Sequence, residues 1–257
     1  MDDDLSPEII LQNLKTQFIG QKIIYFPILD STMEAARREA LWGAEAGTVI
    51  IAEQQSGGRG RLQRKWISPR GGLALSIILR PNIDHLPYML MISSLAVVNG
   101  IQAITSLNPQ IKWPNDILIN EKKICGILIE NDLRQNSLHH AIIGIGINVN
   151  MHISDYPEIA SFATSLSDQI GREVSKLDLL RQVLIEMERL YQLLSQKEYI
   201  LAQWKDNLIT LGQSIEINMG NKIYKGIAES VSKEGNLLLR QKNGTLVRIV
   251  AGDVTLR

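Results

Sequence analysis

The chain has 257 residues, enough for one large domain or for one domain with a small second one. Lysine and arginine together number 27, as do aspartate and glutamate, so the formal net charge is zero. This balance argues against a protein devoted to nucleic-acid binding, because many phosphate contacts require a basic surface. The single cysteine, Cys125, excludes an internal disulfide framework and fits a reducing compartment; its apolar neighbours predict a buried thiol.

No targeting or metal-binding pattern is evident. Residues 2–4 are aspartates where a secretory signal needs positive charge, and no apolar run approaches the length of a membrane span. We therefore expect a soluble, cytoplasmic protein with no membrane partner. Four histidines and one cysteine give no zinc-ligand spacing, whereas oxygen-bound Mg²⁺ leaves no such pattern and stays open.

The chain up to residue 204 alternates apolar runs with helix-forming segments. Ser31 and Glu34 fit a capping box at the start of a helix over residues 33–42. A second helix is expected over residues 86–107, and residues 177–204 are expected to form two consecutive helices. The predicted strands are residues 22–26, 49–53, 73–80, 123–130 and 141–149.

Residues 111–119 predict one strand interrupted by a polar bend at residues 114–116. The following turn at residues 120–122 predicts a hairpin with the strand that begins at Lys123. Gly144 and Gly146 stand two apart in a later strand, so they share a face where missing side chains leave room for a ligand or a packed backbone.

The sequence pattern changes after Gly212, from long helical and apolar segments to short β-type runs. Short β-type runs at residues 214–218, 222–231, 236–241 and 245–250 are separated by turn residues such as Asn243-Gly244. About 45 residues cannot easily sustain a core of their own, so we expect this small barrel to pack on the main domain.

The densest functional signal is the segment GGRGRLQRKW at residues 57–66, which directly follows a predicted strand. Its glycines let the backbone approach a ligand, its arginines match phosphate and carboxylate oxygens, and Trp66 offers a flat ring face. This combination predicts a nucleotide or another phosphorylated ligand. No P-loop motif is present, and Gly144 and Gly146 lack the third glycine of a dinucleotide fingerprint.

Several motifs together resemble the biotin–protein ligase family. They are GRGR at 58–61, RKW at 64–66, KWPND at 112–116, Lys123 with GILIE at 126–130, and GIGIN at 144–148. The resemblance covers the chain from about Ser31 onward. It implies an α+β fold of the biotin/lipoate ligase type, in which a mixed-sheet catalytic domain (residues 1–212) precedes a small SH3-like β-barrel (residues 213–257).

The resemblance implies an ATP-dependent ligase with two half-reactions. Biotin is activated as biotinyl-5′-AMP with release of diphosphate, and biotin then passes to a lysine of a biotin carboxyl carrier protein. The substrates would be biotin and ATP, with Mg²⁺ as the metal. A lipoate-type ligase or acyltransferase is the alternative, since enzymes of that related fold use the same two steps, activation and transfer.

The motif positions also imply roles for individual residues. Arg61 and Lys123 would be the catalytic cations, and Asp116 a possible Mg²⁺ ligand. The implied biotin-binding residues are Ser31, Thr32, Met33, Gln55, Arg59, Gly60, Arg61, Lys123, Gly126, Gly144 and Gly146. The implied ATP-binding residues are Arg61, Arg64, Trp66, Asn115, Asp116, Asn148 and Arg257.

Three positions depart from the family pattern: Met33 replaces a common asparagine, Gln63 replaces a usual glycine, and Glu216 stands where some relatives carry lysine. Some relatives carry an N-terminal helix-turn-helix; here only about thirty residues precede Ser31, and the first are acidic. We therefore expect no nucleic-acid partner, a carrier-protein domain as the working partner, and a monomer or homodimer.

Overall fold

The computed structural model describes residues 4–134, 137–219 and 222–256. A seven-stranded mixed sheet has the order β1-β2-β3-β7-β6-β5-β4; β1 and β2 are parallel, and the other neighbours are antiparallel. The predicted α+β fold class is confirmed. The strands are β1 Ile23–Leu29, β2 Val49–Gln55, β3 Gly72–Leu79, β4 Gln110–Lys112, β5 Asp116–Ile119, β6 Lys122–Arg134 and β7 Ser137–Asn148.

Six α-helices accompany the sheet within the described part of the chain. They are α1 Pro7–Leu11, α2 Thr32–Leu41, α3 Leu86–Ile104, α4 Leu166–Ile170, α5 Lys176–Gln192 and α6 Lys197–Asp206. The two consecutive helices expected over residues 177–204 are present as α5 and α6.

Helix α3 corrects the expectation that no apolar run approaches a membrane span. The helical segment Ile83–Ile104 has 22 residues and a mean hydropathy of 1.4, so it meets that criterion by length and composition. Its apolar character has another cause: α3 packs against α5, α6 and the sheet, and its side chains belong to the main hydrophobic core.

Residues 110–119 also differ from the prediction. Instead of one strand with a bend, β4 and β5 form an antiparallel hairpin in which Lys112 pairs with Asp116. The chain reverses between them because Pro114, which follows a cis peptide bond, has no N–H for a strand ladder. Trp113 is buried in this turn, and its indole Nε1 donates to the carbonyl of Gly235 at 2.9 Å.

The C-terminal residues form a five-stranded antiparallel sheet of order β11-β10-β9-β8-β12. Its inner side chains, including Ile215 and Leu237, lie in the same core cluster as α3, so the sheet packs on the main body. The division at residue 212 stays a prediction. The strands are β8 Ser214–Met219, β9 Lys222–Val231, β10 Leu237–Arg240, β11 Leu246–Ile249 and β12 Asp253–Leu256, of which sequence reasoning missed β12.

The described N-terminal segment packs onto helix α5. Ile10 and Ile19 are fully buried. The buried carboxylate of Glu188 in α5 accepts hydrogen bonds from the backbone N–H groups of Gln17, Phe18 and Ile19 at 2.6–2.9 Å. Residues 17–19 are therefore anchored to α5 by backbone groups that would otherwise lack partners.

Candidate active site

A cavity of about 420 Å³ opens over one face of the large sheet. Its lining comes from the start of α2, the glycine–arginine loop (residues 57–66), the β4–β5 hairpin, β6, β7, residues 159–163 and Asp253. Arg257 lies outside the described residues. The other predicted site residues all line this cavity: Ser31, Thr32, Met33, Gln55, Arg59, Gly60, Arg61, Arg64, Trp66, Asn115, Asp116, Lys123, Gly126, Gly144, Gly146 and Asn148.

One end of the cavity is polar and uncharged. The side-chain oxygen of Gln55 accepts hydrogen bonds from the backbone N–H of Thr32 at 2.8 Å and from its hydroxyl at 3.2 Å. The hydroxyl of Ser76 on β3 donates to the Thr32 hydroxyl at 2.8 Å. These bonds fix the orientation of the Gln55 side-chain amide. The direction of its NH₂ group is fixed with it.

Ser31 precedes α2 at the N-cap position, but its hydroxyl makes no capping bond. The predicted capping box is therefore wrong. Glu34 instead forms ion pairs with Arg37 and Arg59, and the Ser31 hydroxyl is buried without a hydrogen-bond partner. A buried hydroxyl without a partner carries a desolvation cost that a bound polar ligand can relieve.

Met33 forms an apolar wall against Gly144. A Cβ built on Gly144 would stand 2.5 Å from the Met33 sulfur, so the glycine is required for this close approach. Met33 is buried on the inner side of α2. The position that is often asparagine in the resembling family thus contributes thioether packing here.

The ring of Trp66 lies over two glycines of neighbouring strands. A Cβ built on Gly146 would stand 2.5 Å from the indole nitrogen, and one built on Gly126 would stand 3.1 Å from the ring. The ammonium of Lys123 lies 5.5 Å from the ring centroid. The missing side chains therefore create a shallow glycine platform on which the indole ring lies beside a cation.

The loop closes on itself through its backbone. The N–H of Gly60 donates to the carbonyl of Arg64 at 2.7 Å, and that of Trp66 donates to Gly58 at 2.8 Å. Leu62 and Gln63 at the tip have φ of 54° and 62°, in the left-handed region that favours glycine. The tip therefore holds a conformation that is costly for these two side chains.

Each of three loop arginines is held by a different element. Arg59 forms an ion pair with Glu34 of α2. The guanidinium of Arg61 donates to the Asn115 side-chain oxygen at 2.9 Å. Arg64 forms an ion pair with Asp253 of β12. The loop is thus attached at once to α2, to the β4–β5 hairpin and to the C-terminal sheet.

The other end of the cavity is rich in charge. The ammonium of Lys123 lies 2.6 Å from a carboxylate oxygen of Asp116, and both side chains are about a quarter exposed. Asn115 is fixed because its NH₂ group donates to the carbonyl of Ile127 at 2.8 Å. Asn148 is fixed likewise, since its NH₂ group donates to the carbonyl of Thr164 at 2.9 Å.

Burial acts on two of the cations at this end. Desolvation lowers the pKa of Arg61, with the carboxylates of Asp253 and Asp116 opposing that change. Desolvation also lowers the pKa of Lys112, again opposed by Asp116. Positive charge held in a partly dehydrated cavity interacts strongly with an incoming anion.

The structure adds residues that sequence reasoning did not assign to the site. Lys112 lines the cavity and stood within the KWPND motif without a role, whereas Ser76, inside an apolar strand, supports Thr32 from behind the lining. Phe162 belongs to a segment without a recognisable motif, although its carbonyl accepts from the backbone N–H of Lys123 at 2.8 Å. Asp253 depends on β12, which was not predicted.

The cavity offers few metal ligands. Among residues 4–134, 137–219 and 222–256, no three His, Cys, Asp or Glu side chains cluster in a way that could hold a metal ion. Asp116 is a cavity-lining carboxylate at the charged end. A single carboxylate fits Mg²⁺ that enters with phosphate oxygens, because magnesium in nucleotide sites takes one or two carboxylates and keeps other oxygen ligands.

Comparison with known proteins identifies the family. Residues 25–148 match the biotin/lipoate A/B protein ligase family, and residues 210–257 match the biotin protein ligase C-terminal domain. The chain is 36% identical over 258 residues to the bifunctional ligase/repressor BirA of Bacillus subtilis, spanning 98% of this chain and 79% of that protein. The chain belongs to the biotin protein ligase family.

Two further relatives agree with this assignment. The biotin–[acetyl-CoA-carboxylase] ligase of Mycobacterium tuberculosis is 28% identical, with 98% of this chain and 97% of that protein covered. A solved biotin protein ligase from Aquifex aeolicus in complex with biotin and ATP is 31% identical and superposes with a TM-score of 0.78, covering 92% of this chain and 99% of that one. The resemblance seen in the motifs is confirmed.

Proposed function

We propose that this biotin protein ligase activates biotin with ATP as biotinyl-5′-AMP and transfers it to a lysine of a biotin carboxyl carrier domain. The observation that carries the proposal is the cavity itself. Its uncharged polar end is joined, across an apolar wall and a glycine platform, to an end rich in cations. That sequence of environments matches a polar ring system, an aliphatic chain and a carboxylate that meets a phosphate.

Biotin occupies the uncharged end in this proposal. The ureido group has both donors and acceptors, which the hydroxyls of Ser31 and Thr32 and the amide of Gln55 complement. Met33 and Gly144 then border the apolar part of the ligand. Arg59 and Gly60 close the pocket from the loop.

In the first half-reaction a carboxylate oxygen of biotin attacks the α-phosphorus of ATP. A new O–P bond forms, the bond from the α-phosphorus to the bridging oxygen breaks, and diphosphate leaves with the electron pair. Arg61 and Lys123 offset the repulsion between the two anions and stabilise charge on the transferring phosphorus. They are the proposed catalytic residues.

The nucleotide lies against the exposed side of the Trp66 ring and the charged end. Trp66 stacks on adenine, Arg64 binds phosphate oxygens, and Asn115 and Asn148 provide fixed amides. Arg257 is proposed as a further ATP-binding residue from its motif position alone. Asp116 is the proposed side chain for Mg²⁺, which when bound neutralises charge on the phosphates.

In the second half-reaction the ε-amine of the acceptor lysine attacks the carbonyl carbon of the mixed anhydride. An amide bond forms, AMP leaves with the electron pair, and the nitrogen loses a proton to solvent. The proposed acceptor is the carrier domain of a biotin-dependent carboxylase. The names of relatives that are biotin–[acetyl-CoA-carboxylase] ligases support this choice.

The test measures diphosphate release by the purified protein with ATP and Mg²⁺, supplied in turn with biotin and with lipoate. We expect release with biotin and not with lipoate, and biotinyl-5′-AMP as the product by mass spectrometry. Release with lipoate alone would instead assign the lipoate ligase function. The Lys123→Ala variant serves as the control for contaminating activity.

DNA is not a working partner in this proposal, although several relatives are named as repressors. Support comes from the zero net charge, because many phosphate contacts require a basic surface. We expect no operator-like binding at physiological salt with biotin present. Tight binding that weakens steeply with added salt would show the contrary.

A further inference from the structure

Lys112 occupies a defined place relative to the glycine platform. Across the antiparallel strands, Gly146 pairs with Gly126, Gly126 with Asp116, and Asp116 with Lys112. These four residues form one row across β7, β6, β5 and β4, and all four line the cavity. Residues opposite one another in paired strands share a face, so the row projects into the cavity from platform to sheet edge.

The row separates the Lys112 backbone from the glycine platform, and Asp116, which contacts the Lys123 ammonium, lies between them. Neighbouring strands lie about 4.8 Å apart, so the Lys112 backbone is roughly 10 Å from that of Gly126 and farther still from that of Gly146. Trp66 and Lys123 are centred over the platform. A nucleotide whose α-phosphate meets Lys123 extends its remaining phosphates either toward this edge or into solvent.

Lys112 has no partner of its own. Arg61 is bonded to Asn115, Arg64 to Asp253 and Lys123 to Asp116. Within the part of the chain that the structure describes, the half-buried Lys112 lines the cavity with no side-chain hydrogen bond or ion pair; Lys65, which also lines it without one, is exposed. Burying an ammonium without a partner is unfavourable, and burial accordingly lowers its pKa.

The charges at this end call for an anion. Six cations line the cavity (Arg59, Arg61, Arg64, Lys65, Lys112 and Lys123) against two carboxylates (Asp116 and Asp253), so positive charge is in excess. Arg64 and Asp253 lie near enough to Lys112 to affect its pKa, as do Asp116 and Lys123. With Lys112 itself, these groups are three cations and two carboxylates, so the surroundings of Lys112 keep one positive charge in excess.

We propose that Lys112 binds the β- and γ-phosphates of ATP and the diphosphate that leaves, apart from the α-phosphate cations. This inference rests on the proposed function and adds a binding residue to it. An ammonium at this place holds the leaving group while the α-phosphate is handled by Arg61 and Lys123. Lys112 therefore acts in adenylate formation and in its reversal, and has no part in transfer from the finished adenylate.

The test compares three reactions of Lys112→Met. These are biotin- and ATP-dependent diphosphate release, ATP formation from supplied biotinyl-5′-AMP and diphosphate, and biotin transfer from supplied biotinyl-5′-AMP to a carrier domain. We expect the KM for ATP and for diphosphate to rise about 10- to 100-fold, as for loss of a charge-assisted contact, while transfer is unchanged. Lys122→Met is the matched control, since Lys122 is exposed and does not line the cavity.

Two results overturn the inference: unchanged KM for diphosphate, or equal losses in all three reactions. Lys112→Arg retains the charge and keeps the test decisive if the methionine variant folds poorly; its KM for diphosphate should stay within a few-fold of the wild type. If the wild type itself releases no diphosphate with biotin, the proposed function fails before the Lys112 comparison is made.

Discussion

The indole nitrogen of Trp66 would lie 2.5 Å from a Cβ placed on Gly146, so the ring occupies the space that any other residue would need. The ring belongs to the glycine–arginine loop, whereas Gly146 lies on β7 in the centre of the sheet. The contact therefore couples the position of the loop to the absence of one side chain on β7.

The contact predicts the effect of Gly146→Ala. The added methyl group displaces the ring, and we expect weaker ATP binding, by about 1–3 kcal/mol as for overpacking elsewhere. Steady-state kinetics should show a higher KM for ATP. The control is the same change in a Trp66→Ala background, where it should cost little more; an equal cost in both backgrounds would mean that the ring is not the cause.

Arg61→Ala and Lys123→Ala test the proposed catalytic cations. Loss of either charge should raise the barrier to adenylation by about 2–4 kcal/mol, which slows the step roughly 30- to 1000-fold. Single-turnover formation of biotinyl-5′-AMP measures the effect directly. Near-normal rates in both variants would remove them from the catalytic role, and Lys122→Ala provides the exposed control.

Much of the fold could be predicted from the sequence. The central strands are long apolar runs, so β3, β6 and β7 were found within a few residues of their bounds. The end of β1 was predicted too early, at residue 26, because a proline at position 27 usually ends a strand. Since β1 lies at the edge of the sheet, the missing N–H costs no ladder bond, and the strand continues to Leu29.

Site residues that belong to recognisable motifs could be predicted from the sequence. Those that reach the site only through tertiary packing could not. Gly126 and Gly146 stood in recognisable motifs, and both line the cavity. Asp253 could not be found, because its carboxylate reaches Arg64 only through the packing of a five-stranded sheet whose last strand has no clear pattern. The wrong capping box at Ser31 has the same origin, since Glu34 pairs with an arginine distant in sequence.

The loop is predicted to be less ordered without ligands. Its glycines make a fixed backbone entropically costly, and Leu62 and Gln63 at its tip hold left-handed φ angles, so biotin with a non-hydrolysable ATP analogue should order it. Limited trypsin digestion should show protection at Arg61 and Arg64 with both ligands. Cleavage at the exposed Lys233 serves as the reference; unchanged cleavage in the loop would contradict the prediction.

The lowered pKa of Lys112 predicts a pH dependence. The ammonium binds diphosphate only when protonated, so the KM for diphosphate should rise as pH increases through this lowered pKa, below the ordinary lysine value of 10.5. Lys112→Arg should remain flat over the same range, because a guanidinium keeps its proton to about pH 12. Parallel profiles for the two proteins would assign the dependence to another group.

Folding stability should respond to the same group in the opposite sense. Because the folded-state pKa of Lys112 lies below its unfolded value, the unfolded chain binds this proton more tightly. Its contribution therefore becomes more favourable as pH rises through the lowered pKa toward 10.5. Urea unfolding should show that the difference in free energy of unfolding between the wild type and Lys112→Met becomes smaller as pH rises in this range.

The most direct test of the central claim is transfer of biotin to protein. The purified ligase is incubated with biotin, ATP, Mg²⁺ and a carrier domain of a biotin-dependent carboxylase, and the products are read by avidin blot. We predict label on the carrier domain that requires both biotin and ATP and disappears when the acceptor lysine is replaced by arginine. Absence of label, or label that persists without that lysine, would contradict the assignment of this cavity to biotin transfer.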